Sequence, residues 1–277
     1  MITTDGKYHI KRYLATQVPQ IGRCIALGIG STAPALTDTR LNFEVARTDV
    51  KSVSYNFATN KLVWKANVPD SLAATVYEIG LYSLEANTAA GQADDRMITS
   101  FDSASEVWSN TPTWSTANTR IGEDSLRQSP AAGATVSNEV ADLSFDLSLY
   151  SGVDVFLFAY NNLNTNTASV QVRFKTDDTN YFSYTATNPV AGYHVDTVNK
   201  ATLVSTGTPN WAAINKIEVY TVSKASLVAT VDWDGIRVAD SDSINPDYVL
   251  VARETVTPFL IKAGSVNEIE FSVTITV

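Results

Sequence analysis

The feature that most constrains this chain is a two-residue alternation of apolar and polar side chains that recurs along its length. In "EIEFSVTITV", Ile269, Phe271, Val273, Ile275 and Val277 alternate with Glu270, Ser272, Thr274 and Thr276. The same rhythm runs through Leu62, Trp64, Ala66 and Val68, and through Val170, Val172 and Phe174. A strand places successive side chains on opposite faces, so this period reads as half-buried antiparallel strands rather than helices. Turn-forming stretches such as "NLNTNT", "TDDTN" and "STGTPN" punctuate the runs. Helical spacing is confined to a stretch from Gly6 to Ala15. The expected fold class is all-β.

Two polar, non-periodic segments read as linkers: Glu85–Arg96 and Ala239–Tyr248. The chain beyond the second linker has room for only two strands, too few to fold alone, so those strands must add to the N-terminal sheet. The expected organisation is an outer antiparallel β-sandwich-like domain, residues 1–97 plus 241–277, with a two-sheet jelly roll inserted at residues 98–240.

Composition excludes several classes. No run of about 18 apolar residues reads as a membrane-spanning helix. "MITTDGKYHIKRYL" lacks the pattern of a signal peptide, which implies no export by that route. The net charge of −9 argues against nucleic-acid binding. The one cysteine, Cys24, lies in the apolar run "CIAL" and reads as a core residue. Neither histidine, His9 or His194, forms a dyad motif with it.

The segment "RCIALGIGSTAPALTDTRLNFEVAR" joins an apolar strand to a glycine-containing loop. A dinucleotide site would need a third glycine where Ala33 stands, followed by a helix, and neither is present. A structural loop is expected instead, with Gly28 and Gly30 supplying unusual backbone angles. Glu44, Arg47, Glu78 and Arg253 read as charge pairs that pin strands or subunits. This segment, followed by "VWKANVP" and "YEIGLYS" and closed by the alternating C-terminal strand, resembles the N-terminal region of phage tail-fibre, tail-collar and related virion proteins. The resemblance implies a virion location, other virion proteins as partners, and a homo-oligomer, with a trimer favoured.

The middle of the chain carries "FD…W" (Phe101, Asp102, Trp108), Gly122 with Ser125 and Leu126, then "TGTPNWAAINKIEV" and "DWDGIRV". In that order these resemble the galactose-binding-like domains of many carbohydrate-binding modules. The resemblance implies two features. One is a structural calcium held by Asp102 and Asp234 with Glu123 or Asp124, the alternative being that these acids cap turns. The other is glycan binding through Trp114, Tyr181, Tyr184 and Tyr193, the alternative being packing. Trp108, Trp211 and Trp233 are assigned to the core. No carboxylate pair stands out as catalytic, so the chain is read as a non-enzymatic virion structural protein that presents a jelly roll to host-surface glycans. The alternative is a free carbohydrate-binding module.

Overall fold

A computed structural model describes residues 1–15, 21–84, 96–141, 143–148, 150, 152, 154–239 and 248–274. Residues 85–95 and 240–247, which make up most of the two expected linkers, lie outside the described residues, as do Ile275 and Val277 of the last alternating run. In chain order the elements are helix α1 (Thr4–Leu14) and strands β1 (Cys24–Gly28), β2 (Glu44–Asn56), β3 (Lys61–Asn67), β4 (Ala74–Leu84) and β5 (Arg96–Thr99). There follow β6 (Thr113–Ser115), β7 (Ser125–Gln128), β8 (Thr135–Val140), β9 (Val155–Asn162), β10 (Thr167–Lys175) and β11 (Tyr181–Thr187). The last are β12 (Gly192–Asn199), β13 (Val204–Thr206), β14 (Lys216–Ser223), β15 (Val231–Ala239), β16 (Tyr248–Ile261) and β17 (Glu268–Thr274). The fold is all-β but for α1 and two short 3-10 turns among the described residues. The chain divides into two compact units, Met1–Asp95 with Ser241–Val277, and Arg96–Asp240.

The outer unit is one six-stranded antiparallel sheet in the order β16-β4-β1-β2-β3-β17. Its central strand β1 is buried on both faces. Ile25 and Leu27 join a cluster with Trp64, Ala66, Leu81 and Phe271. Cys24 and Ala26 join Leu41, Tyr82 and Leu250 on the other side. This double burial is why "CIAL" is continuously apolar. Burial and the nearby Asp49 carboxylate push the Cys24 thiol up to about 12, so it is inert rather than nucleophilic. Helix α1 starts earlier than its spacing implied, because the Thr3 hydroxyl caps it by accepting from the Gly6 N–H at 2.9 Å. A side chain at Gly6 would stand 2.0 Å from the Val251 carbonyl oxygen, so glycine is what lets α1 touch β16.

The loop after β1 is organised by one buried carboxylate. Glu78 accepts from the Gly30, Asn42 and Phe43 amides at 3.1, 3.0 and 2.9 Å. Arg253 reaches it at 2.7 Å, and also holds Asp38 at 2.7 Å and the Thr32 carbonyl at 2.9 Å. Burial raises the Glu78 pKa, while Arg253 and the amides oppose the rise. Gly28 and Gly30 serve a different purpose from the one their sequence suggests. Neither has a positive φ, but a Cβ on either would lie 2.5 or 2.7 Å from Glu78 Oε1. They are small because the carboxylate needs the space. Glu44 and Arg47 pair within β2 at 2.8 Å, and the Arg47 guanidinium lies 4.0 Å from the Tyr82 ring centre.

The second unit is a two-sheet jelly roll. One sheet runs β12-β9-β15-β7-β6 with β5 added to β15, and the other runs β13-β11-β10-β14-β8. Phe156, Phe158, Tyr160, Trp233 and Ile236 from the first pack against Val170, Val172, Phe174, Ile217 and Val219 from the second. Trp108 and Trp233 are buried as expected, whereas Trp211 is half-buried and stacks on Phe182 at 3.8 Å. A polar stitch crosses this core. The Gln128 amide donates to Asn138 and the Val219 carbonyl at 2.9 and 3.0 Å, and accepts from Thr221 and Trp233 at 2.7 and 3.0 Å.

Replacing Arg253 with alanine leaves Glu78 inside the outer unit with its three amide donors but no countercharge. The expected loss is about 3–5 kcal/mol, measured by urea unfolding. It should be accompanied by faster hydrogen exchange at the Gly30, Asn42 and Phe43 amides. Unchanged exchange at those amides would show that the pair does not hold the loop.

Candidate functional site

A jelly roll has two outward sheet faces, and here they differ sharply. The outward residues of β9 and β15 in the six-stranded sheet are sealed. Leu157, Ala159, Asp232, Asp234 and Arg237 are all buried. Arg127 grips Asp232 with two hydrogen bonds of 2.7 and 2.8 Å. Asp234 accepts from the Tyr193 hydroxyl and from the Arg120 amide at 2.9 Å. The Arg120 guanidinium lies 3.7 Å from the Tyr193 ring centre.

The outward face of the five-stranded sheet is different. Strand alternation sends Val170, Val172 and Phe174 inward from β10 and turns Gln171, Arg173 and Lys175 out. From β11 it turns out Tyr181 and Thr185, and from β14 Lys216, Glu218 and Tyr220. Arg173 pairs across strands with Ser183 on β11 and Glu218 on β14. Its guanidinium sits 4.6 Å from the Tyr181 ring centre and 4.1 Å from that of Tyr220. Its Nε donates to Gln171 and its Nη1 to the Tyr220 hydroxyl, both at 2.7 Å. The Gln171 amide in turn donates to Thr185 at 2.8 Å. Burial and Glu218 hold the Tyr220 hydroxyl above its ordinary pKa, so the phenol stays neutral.

Beside this clamp, Lys175 lies 2.6 Å from Glu139 and 3.1 Å from Glu218. Burial disfavours its charge, but the bonds with Glu139, Asp178 and Glu218 hold its pKa above the ordinary lysine value. Lys216 shares Glu139 and Asp178. The two glutamates are cross-strand partners with a lysine between them. Each is therefore paired with a cation.

Of the aromatic residues expected from sequence to contact a glycan, Tyr181 is the one on this open face. Tyr184 points inward, stacking on Phe158 at 5.0 Å and donating to Asp196 at 2.9 Å. Tyr193 belongs to the Asp234 site, and Trp114 packs against the core from β6. Arg173 and Tyr220 were missed, although the alternation in "SVQVRFK" and "IEVYTV" marks both as outward.

The expected calcium residues act as turn acceptors. Asp102 accepts from the Ala104 and Glu123 amides at 3.0 and 3.1 Å. A Cβ on Gly122, whose φ is +72°, would lie 2.4 Å from Asp102 Oδ2. Asp124 accepts from the Ser103 amide at 2.8 Å. Among the described residues no three His, Cys, Asp or Glu side chains converge as a metal-holding group. The donor set therefore does not fit a calcium cage: the oxygens of Asp102 and Asp234 face N–H and O–H donors. The outer unit holds a separate apolar cavity of about 480 Å³ lined by Ile10, Tyr13, Leu14, Leu62, Trp64 and Val273. Tyr13 and Thr274 bring the hydroxyls of this lining, which is otherwise almost wholly apolar and so matches a sugar poorly.

No protein-family model matches the sequence, and no curated protein matches it. Among solved structures, the family 11 carbohydrate-binding module from Clostridium thermocellum, in complex with a β-1,3-1,4-mixed-linked tetrasaccharide, is similar over 55% of this chain and 98% of its own, at 11% identity and a TM-score of 0.40. A structure of carbohydrate-binding modules from the β-sandwich superfamily is similar over 80% of this chain and 86% of its own, at 11% identity and a TM-score of 0.35. An agarase is similar over 54% of this chain at 14% identity and a TM-score of 0.40, and the match spans 25% of the agarase. The structures named here are carbohydrate-binding modules and an agarase, not virion proteins. The jelly-roll assignment rests on the strand pairing itself.

Two measurements test the sealed face. Burial pushes the Asp234 carboxyl up to about 7 from 3.8, against the pull of Tyr193 and the amides. A raised folded-state pKa contributes stability that is complete below the unfolded value and lost as pH rises through the folded one. The stability difference between wild type and Asp234→Asn should therefore shrink from pH 4 to pH 8, by on the order of 1.4 kcal/mol per pH unit at most. A pH-independent difference would contradict the assignment. Chelation by EDTA should leave the melting temperature unchanged, whereas a calcium-dependent rise of several degrees would restore the metal reading.

Proposed function

We propose that this chain is a non-catalytic glycan-binding protein that holds a sugar chain on the outward face of its five-stranded sheet. The observation that carries this reading is the clamp of Tyr181, Arg173 and Tyr220 on an unsealed face, with Gln171, Thr185 and Ser137 around it. Sugar rings present C–H faces that pack on aromatic surfaces and hydroxyls that need fixed polar partners. The clamp supplies both from paired strands, which hold them more rigidly than loops do. The lysine between Glu139 and Glu218 favours binding over hydrolysis, since a glycosidase needs one carboxyl free to donate a proton. The virion reading rests on sequence motifs alone; the loop after β1 and the "YEIGLYS" strand meet at the buried Glu78–Arg253 pair, while "VWKANVP" pairs with the C-terminal strand.

Tyr181→Ala and Tyr220→Ala should each weaken binding to a responsive polysaccharide about ten-fold or more in affinity electrophoresis, consistent with about 1–2 kcal/mol per lost aromatic contact. Tyr184→Phe, which alters an inward hydroxyl, should leave retardation unchanged. Full retention of binding by the double Tyr181→Ala, Tyr220→Ala variant would place the glycan elsewhere.

A further inference from the structure

We infer that the glycan is acidic, with the carboxylate of a hexuronic acid residue seated on Arg173. This inference rests on the glycan-binding reading of the face. It comes from a mismatch in how the cations of that face are partnered. Lys175 has Glu139, Asp178 and Glu218 within ion-pair distance. Lys216 has Glu139 and Asp178. Arg173 lies between them and Gln171 on the central strand, yet among the described residues its hydrogen-bond partners are Gln171 and the Tyr220 hydroxyl, both neutral. Its cross-strand neighbour Glu218 pairs with Lys175 at 3.1 Å and reaches the guanidinium only through the Tyr220 hydroxyl, not by a direct ion pair.

A guanidinium stays charged at every relevant pH and offers its N–H groups in a planar fork. In Arg173 two directions of that fork are used, at Nε and Nη1, and Nη2 donates to no group among the described residues. The tyrosine rings on either side fix the plane of the fork, so little side-chain freedom remains to be lost when an anion arrives. Ser183, directly across the strand pair, is the smallest outward side chain of its row and makes no hydrogen bond to the guanidinium. A planar carboxylate matches this geometry through paired, charge-assisted hydrogen bonds. The hydroxyls of the same sugar lie within the class of groups that Gln171 and Thr185 can bind. A neutral glycan would leave Nη2 of Arg173 without an acceptor and the guanidinium with no anion in direct contact.

The test uses the full chain and calorimetric titration with oligomers of guluronate, galacturonate and glucuronate, each beside its carboxyl-reduced neutral counterpart. The expected result is that at least one uronate oligomer binds about ten-fold or more tightly than its reduced form. That preference should weaken between 20 and 300 mM salt, and Arg173→Gln should erase it. Arg173→Lys, which keeps the charge and loses the fork, should lower the preference without abolishing it. Equal binding of every acidic and reduced pair overturns the carboxylate assignment while leaving the glycan platform standing. Stronger binding of a sulfated galactan than of all three uronates also overturns it. Binding of neither form of any oligomer overturns the acidic-glycan assignment, and unaltered neutral-polysaccharide binding in Tyr181→Ala would separately overturn the platform.

Discussion

The pleat of β10 sets both the core and the candidate site. Val170, Val172 and Phe174 must point one way to meet Phe156 and Phe158, and once they do, Gln171, Arg173 and Lys175 must point the other. A slip of one residue would bury a guanidinium and an ammonium and expose three apolar side chains. The apolar side of the strand therefore holds the polar side in register. The site inherits the rigidity of the core beneath it, and the two tyrosines reach Arg173 from the strands hydrogen-bonded on either side.

Buried charges do the comparable work elsewhere, and they do it for loops. Glu78 gathers three amides and an arginine around the turn after β1. Asp234 gathers a tyrosine and two amides around residues 120–121. In each case a carboxyl group inside the protein is held by loop amides together with one strand side chain, Arg253 of β16 or Tyr193 of β12, so the loop has one low-energy arrangement. The same logic accounts for residues that a motif search would read as functional. Gly28 and Gly30 make room for a carboxylate, not for a phosphate. Asp102 and Asp234 accept hydrogen bonds from the amides and the hydroxyl around them.

The sequence carried the fold class well because alternation is a local signal. It put Val170, Val172 and Phe174 on one face and offered Tyr181 as one of four candidate glycan contacts, with packing as the alternative. It could not rank the two outward faces of the jelly roll, because which face is sealed depends on the loop around Arg120 folding back over β15, a contact between residues far apart in sequence. For that reason Tyr193, which looks like a surface tyrosine beside a turn, proves to be the donor to a buried acid. Arg173 and Tyr220 were overlooked for the converse reason. Each is unremarkable in its own strand, and they become a clamp only when β10 and β14 pair.

The most direct test of the account is the map of backbone amide shifts by NMR as a saturating oligosaccharide is added to the full chain. The account expects the perturbed amides to cluster on β10, β11 and β14 around Arg173, with the Arg120–Glu123 loop and the outer unit unaffected. Perturbation centred on Trp114, Tyr193 and that loop, with β10 silent, would contradict it.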